Sequence, residues 1–228
     1  MTQAAGSNRP VTKAPADLRT SLASSALGER QWFIVGRWQE YGGEARANVL
    51  RIAAIGTFYA IELVNCYGLE WGPWQIPAGV DMEFHRQVTW LAVAWTMVAL
   101  GALLFLRWQV FPAALKYVTT GADLVLLTTM LMVADGPRSP LLVAYFLIIA
   151  AAVLRFRISL VWFATLGSII GYLCLSGYAR WFAGDRDLTV PRYQQLIFLA
   201  ALVLAGIILG QVVRQVRGFA EDFAARIL

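Results

Sequence analysis

Six apolar segments, each about long enough to cross a bilayer, occupy most of the chain between Val49 and Val213. A helix rises ~1.5 Å per residue and needs ~20 apolar residues to span the hydrocarbon layer. Backbone polar groups find no water there, so segments of this length are expected to satisfy them internally, as helices. The expected fold class is all-α: a polytopic membrane helical bundle with six transmembrane helices and no room for a soluble catalytic domain. Of the 228 residues, 59% are hydrophobic and only 14% charged, against about 25% charged in a soluble domain. The net charge of +5 then reads as excess Lys and Arg on cytoplasmic loops. The lipid bilayer, and no nucleic acid, is the expected partner of that charge.

The spans are placed at 49–69, 88–106, 113–133, 141–154, 158–179 and 193–213. The fourth is short, and asks for a start within the preceding loop, for Arg155 to snorkel or for the bilayer to thin. With the amino terminus inside, fourteen of the nineteen Lys and Arg fall on the cytoplasmic side, among them Arg51, Lys116 and Arg155. That bias predicts both termini cytoplasmic. Trp71, Trp74, Trp90 and Trp181 then mark the outer interface and Trp108 the inner one, while Trp95 and Trp162 read as packing residues.

Residues 1–29, rich in Ala, Ser and Pro, read as a disordered cytoplasmic tail without the apolar core of a signal peptide. Residues 30–48 mix aromatic and basic side chains, as a juxtamembrane segment on an anionic leaflet or a plain linker does, with a break expected at Gly42-Gly43. The bundle occupies 49–213, and 214–228 extend the last helix into the cytoplasm.

Few residues carry chemistry. His85 is alone in the chain and is placed in the loop before the second span. Cys66 and Cys174 read as buried free thiols. With no CxxC and no Cys/His cluster in the sequence, neither metal nor cofactor is expected. Gly167-Ser168 lacks both the GxSxG context and a histidine base, so the chain is expected not to be an enzyme. Two acids inside spans, Glu62 and Asp123, are the costly features. With Asn65 and Lys116 they form a candidate polar pocket for a cation, a proton or a small polar ligand; interhelical hydrogen bonding is the alternative. Gly167/Gly171 and Gly206/Gly210 have the four-residue spacing of close helix packing or self-association. Val216, Phe219, Phe223 and Ile227 continue an apolar stripe beyond the sixth span and make it a candidate output helix.

The run from Lys116 through Asp123, the loop Gly136-Pro137-Arg138-Ser139-Pro140, Tyr145-Phe146-Leu147 and Leu154-Arg155-Phe156 resembles the membrane input region of bacterial signalling proteins. These are Ser/Thr kinases, class III adenylate cyclases and histidine kinases with several amino-terminal spans. Gly36-Arg37-Trp38-Gln39-Glu40-Tyr41 is similar to the stretch that precedes the first span there. The resemblance covers residues 30 to 228 and implies a sensor in the bacterial inner membrane. It would relay a membrane or small-molecule signal through its last helix to a kinase or cyclase. Because a catalytic domain comes after the last span in such proteins, the chain is expected to be a stand-alone or truncated input module. The alternatives are a substrate-binding membrane subunit of a transporter and a structural subunit of a larger complex.

Overall fold

The computed structural model describes residues 16–71, 74–108, 112, 114–182 and 188–227, and within them the side chains of 41–69, 77–108, 112, 114–182 and 188–219. Helix α1 (Ala16–Tyr67) leads into a two-stranded antiparallel hairpin, β1 (Leu69–Trp71) and β2 (Trp74–Ile76), with Leu69 opposite Ile76. Then come α2 (Met82–Arg107), α3 (Leu115–Val133), α4 (Ala144–Val153), α5 (Ile158–Trp181) and α6 (Arg192–Ile227). The chain divides into two units, Met1–Gln39 and Glu40–Leu228. The described part of the first is the amino-terminal stretch of α1. The second holds the rest of α1 and every other element.

Among the described residues, four stretches are long and apolar enough to cross a membrane: Tyr41–Tyr67, Met82–Arg107, Ile158–Trp181 and Arg192–Phe219. They correspond to the first, second, fifth and sixth predicted spans and mark a multi-pass membrane protein. The side chains agree. Ile52 and Ile61 on α1, Val93 and Met97 on α2 and Leu196 and Ile208 on α6 are all exposed. So much outward apolar surface suits lipid and not water. The other two predicted spans fall short of the same standard. Helix α3 has 19 residues, but Lys116 and Asp123 dilute its apolar run. Helix α4 has ten, preceded by two 3-10 turns at Gly136–Arg138 and Pro140–Val143, the second of which uses up the start of the predicted span. Prolines at the first turns and the Ser139 hydroxyl, which accepts from the Leu141 N–H at 3.3 Å, fix these turns.

The described chain is helical from Ala16; Ala, Leu, Arg and Glu in this stretch are strong helix formers. Residues 1–15 lie outside the described set. Helix α1 also runs unbroken through Gly42-Gly43. Gly43 serves packing instead: a Cβ there would sit 2.8 Å from the Leu154 carbonyl oxygen, so only glycine lets α1 pass the turn between α4 and α5.

The core lies among α3 to α6, around Leu131, Tyr145, Ile149, Leu160, Leu175 and Leu202. Small residues bring these helices together. A Cβ on Gly171 would meet Thr128 Oγ1 and the Tyr145 hydroxyl at 2.7 and 2.9 Å, and a Cβ on Gly167 or Gly206 would run into Leu124 or Thr165. Three of the four paired glycines are therefore used inside the chain; only Gly210 has open space beside it.

Candidate functional site

Helix α1 is polar within and apolar without. Glu44, Asn48, Arg51, Glu62 and Cys66 are buried, while Val49, Leu50, Ile52 and Ile61 face outward. The steps of four, three, eleven and four keep the buried set on one helical face. This stripe divides into two clusters, because Glu62 lies eleven residues beyond Arg51, roughly 16 Å along the axis.

The first cluster joins the start of the α1 span to α2, α3 and the turn after α4. The Arg51 guanidinium donates from Nε and Nη2 to the two carboxylate oxygens of Asp123, both at 2.7 Å, and from Nη1 to Asn48 Oδ1 at 2.6 Å. Trp95 Nε1 donates to Asp123 Oδ1 at 2.8 Å, and Asn48 Nδ2 to the Ala99 carbonyl at 3.2 Å. Beside this pair, Arg155 Nη2 donates to Glu44 Oε1 at 2.7 Å and to Thr119 Oγ1 at 3.1 Å. Its Nη1 donates to the Lys116 carbonyl at 3.1 Å and to Thr120 Oγ1. Both arginine side chains are 5% exposed. Burial draws the Arg155 guanidinium down from its ordinary value, and Glu44 beside it pushes back up; Arg51 and Asp123 act on it as well, in opposite senses. The two ion pairs are one electrostatic unit.

Arg155 is aimed inward by the turn that carries it. Phe156 takes φ +49°, a left-handed value that costs a side-chain-bearing residue about 1–2 kcal/mol. The Phe156 N–H closes the turn on the Val153 carbonyl at 2.8 Å. Arg155, for which snorkelling is one of the alternatives, is buried and paired, and Arg51, counted among the cytoplasmic charges, is likewise consumed inside.

A cavity of about 530 Å³ adjoins this network, bounded by α1, α2, α3 and the α4 region. Arg51, Asp123, Thr120 and Arg155 form its polar end; Phe58, Val88, Leu127 and Ile148 are among its apolar walls. Leu50 and Leu147 also line it and are 51% and 49% exposed, so the wall is discontinuous where α1 faces α4. The buried Arg155 Nε–H has no acceptor among the described residues.

The second cluster closes the other end of α1. His85 Nδ1 lies 2.9 and 3.0 Å from the two Glu62 oxygens. The Cys66 sulfur completes a group whose ligand atoms all fall within 4.8 Å of one another. Tyr59 and Tyr67 flank the imidazole at ring-centre distances of 6.5 and 5.7 Å, stacked and edge-on, and the Tyr59 and Thr89 hydroxyls are 3.1 Å apart.

The predicted pocket of Glu62, Asn65, Asp123 and Lys116 is thus divided. Asp123 belongs to the first cluster and Glu62 to the second. Lys116 lends its backbone carbonyl to Arg155, and Asn65, with an exposed side chain, lends its own to the Gly79 N–H at 2.9 Å. His85 sits in the first turn of α2 and not in a loop. Cys66 is buried as expected, but Cys174 is exposed. Trp95 packs inward, whereas Trp162 is 39% exposed, with Trp90, Trp108 and Trp181 exposed as belt residues are. Glu44, Asn48, Arg51 and Arg155 are site residues that sequence reasoning misses. The signal for the first three is their four-three spacing at the start of an otherwise apolar stretch; Arg155 carries no such signal. Val216 and Phe219 are exposed on a helix that runs unbroken from Arg192 to Ile227; the side chains of Phe223 and Ile227 lie outside the described set.

No family model matches the chain, and neither a curated protein nor a solved structure is similar to it at a significant level.

Proposed function

We propose that the protein is a membrane sensor, an input module that takes up an amphipathic, membrane-soluble ligand between α1 and α4 and passes its occupancy to a partner through α6. The observation that carries this reading is the apolar cavity with one polar end, formed by Arg51, Thr120, Asp123 and Arg155. A ligand with a small polar group on an apolar body would match that lining. The gap between α1 and α4 gives a lateral entry. Helix α6 packs on α4 and α5 and continues with Val216 and Phe219 exposed, which suits a relay better than the substrate-binding subunit of a transporter.

In this reading α3 and α4 also cross the bilayer. That makes six spans in a bacterial inner membrane, with both termini cytoplasmic and the hairpin outside. With Arg51 and Arg155 consumed internally, twelve of the Lys and Arg remain on the cytoplasmic side against five outside, so the inward bias keeps its sign. Reporter fusions after Arg19 and after Leu228 should both report cytoplasm and fusions within 182–191 the outside; termini on opposite sides would remove one span.

The test of the ligand is retention. The full chain, purified in mild detergent, should carry an apolar molecule that organic extraction and mass spectrometry detect at about one per chain. Ala92→Phe and Ala151→Phe, which fill the cavity, should lose it while remaining folded. Equal content in wild type and filled variants would refute the cavity as its seat. Co-purification of a kinase or cyclase that Phe219→Ser releases would support the relay; an ATPase would favour the transporter.

A further inference from the structure

The geometry points to a second site, independent of the cavity: we propose that Glu62, Cys66 and His85 bind a divalent transition ion of the zinc type at the hairpin end of α1. Glu62 and Cys66 stand four residues apart, on adjacent turns of one helical face. His85 comes from the first turn of α2 and closes the set across the helix pair. All three donor atoms lie within 4.8 Å of one another, with Glu62 and Cys66 buried and His85 half-buried. Zinc requires ligand distances of about 2.0–2.3 Å, so binding draws these atoms together by small side-chain movements and leaves the helices in place.

The donor set selects the ion. Calcium and magnesium take shells of oxygen, and a thiol with an imidazole excludes both. One carboxylate oxygen, one imidazole nitrogen and one thiolate sulfur together match the borderline character of zinc. Charge points the same way. A doubly positive ion with one carboxylate and one thiolate makes a neutral centre around neutral His85, a favourable state for a buried site. The imidazole binds through Nδ1 with its N–H on Nε2, and the Cys66 thiol releases its proton to become the thiolate ligand. Tyr59 and Tyr67 hold the imidazole plane, the service that groups around metal-bound histidines commonly supply. Three protein ligands leave a fourth position for water or an exogenous group, and the exposed Tyr67 beside His85 places that position near the surface.

The full chain in detergent, stripped with a chelator, is titrated with zinc against a chromophoric competitor and separately with cobalt(II). One ion per chain is expected. The cobalt form should show the intense visible bands of a tetrahedral centre and a thiolate charge-transfer band that Cys66→Ser abolishes. Zinc binding should weaken at least about tenfold, the scale on which even outer-shell partners act, in each of Cys66→Ser, His85→Gln and Glu62→Gln. A second measurement needs no ligand variant. In a Cys174→Ser background, zinc should protect Cys66 from a maleimide and chelator should restore its labelling. Absence of both the charge-transfer band and the protection, or stoichiometric binding untouched by all three variants, overturns the site and leaves Glu62–His85 an ordinary hydrogen-bonded pair. The outcome does not depend on whether the cavity retains a ligand.

Discussion

Helices α3 to α6 and helix α1 join the same bundle by opposite means. The four carboxy-terminal helices meet where glycine, alanine and threonine remove bulk, so that backbones approach until a methyl group would collide. Helix α1 reaches the others chiefly through long side chains: arginine to carboxylate, asparagine to carbonyl, carboxylate to imidazole. Within lipid there is no hydrophobic gain in bringing apolar faces together, so close packing and polar bonding are what remain. The first fills space, whereas the second bridges it. The cavity lies on the α1 side for that reason: beyond the close approach at Gly43, a helix held by long side chains leaves room behind them.

Breaking one charge pair should have the largest effect. Arg155→Met strands the Glu44 carboxylate in a buried site, and about 3–5 kcal/mol of stability should disappear, read as a lower unfolding midpoint in detergent. Glu44→Gln combined with Arg155→Met should recover much of that loss; a double variant no better than the single would mean that α1 is held by something other than paired charge. Gly171→Leu tests the opposite means. Driving a side chain into Thr128 and Tyr145 should cost about 1–3 kcal/mol, while Gly210→Leu, with open space beside it, should cost almost nothing. Equal losses at the two glycines would erase the distinction between a packed and a bridged half. Asn48→Leu removes the bond to the Ala99 carbonyl and one acceptor from Arg51, for about 1–2 kcal/mol. The smallest effect has the other sign: Phe156→Gly relieves a left-handed φ and should gain up to about 1 kcal/mol, provided Arg155 keeps its bonds. Both are read from the same unfolding midpoint.

The same contrast decides what is legible in the sequence. Apolar run length locates the four long helices to within a few residues at most ends, because lipid rewards every apolar side chain on an outward face. The GxxxG spacing locates the tight contacts, although not whether they are internal. Bridges are harder to read. Arg155 looks like a loop charge until Phe156 turns it inward, and Arg51 looks like a boundary residue until Asp123, 72 positions away, is set beside it. The Glu62–Cys66–His85 group escapes for a similar reason. Its histidine comes from a different helix, beyond a hairpin, so no local motif spells it out. Glu62 and Asp123 stand out in the sequence as costly residues, and both are indeed partnered. Pairing them with each other fails because each has a basic partner nearer to hand.

The quartet of Glu44, Arg51, Asp123 and Arg155 sums to zero charge. An elementary charge carried across a membrane potential does work of about 2.3 kcal/mol per 100 mV, and that work is how voltage enters a protein. A neutral group displaced as a body does none. Glu44 and Arg51, the two members carried by α1, cancel as well, so a shift of the start of the α1 span moves no net charge of this network across the potential. A network balanced in this way adds no voltage dependence to movements of that helix.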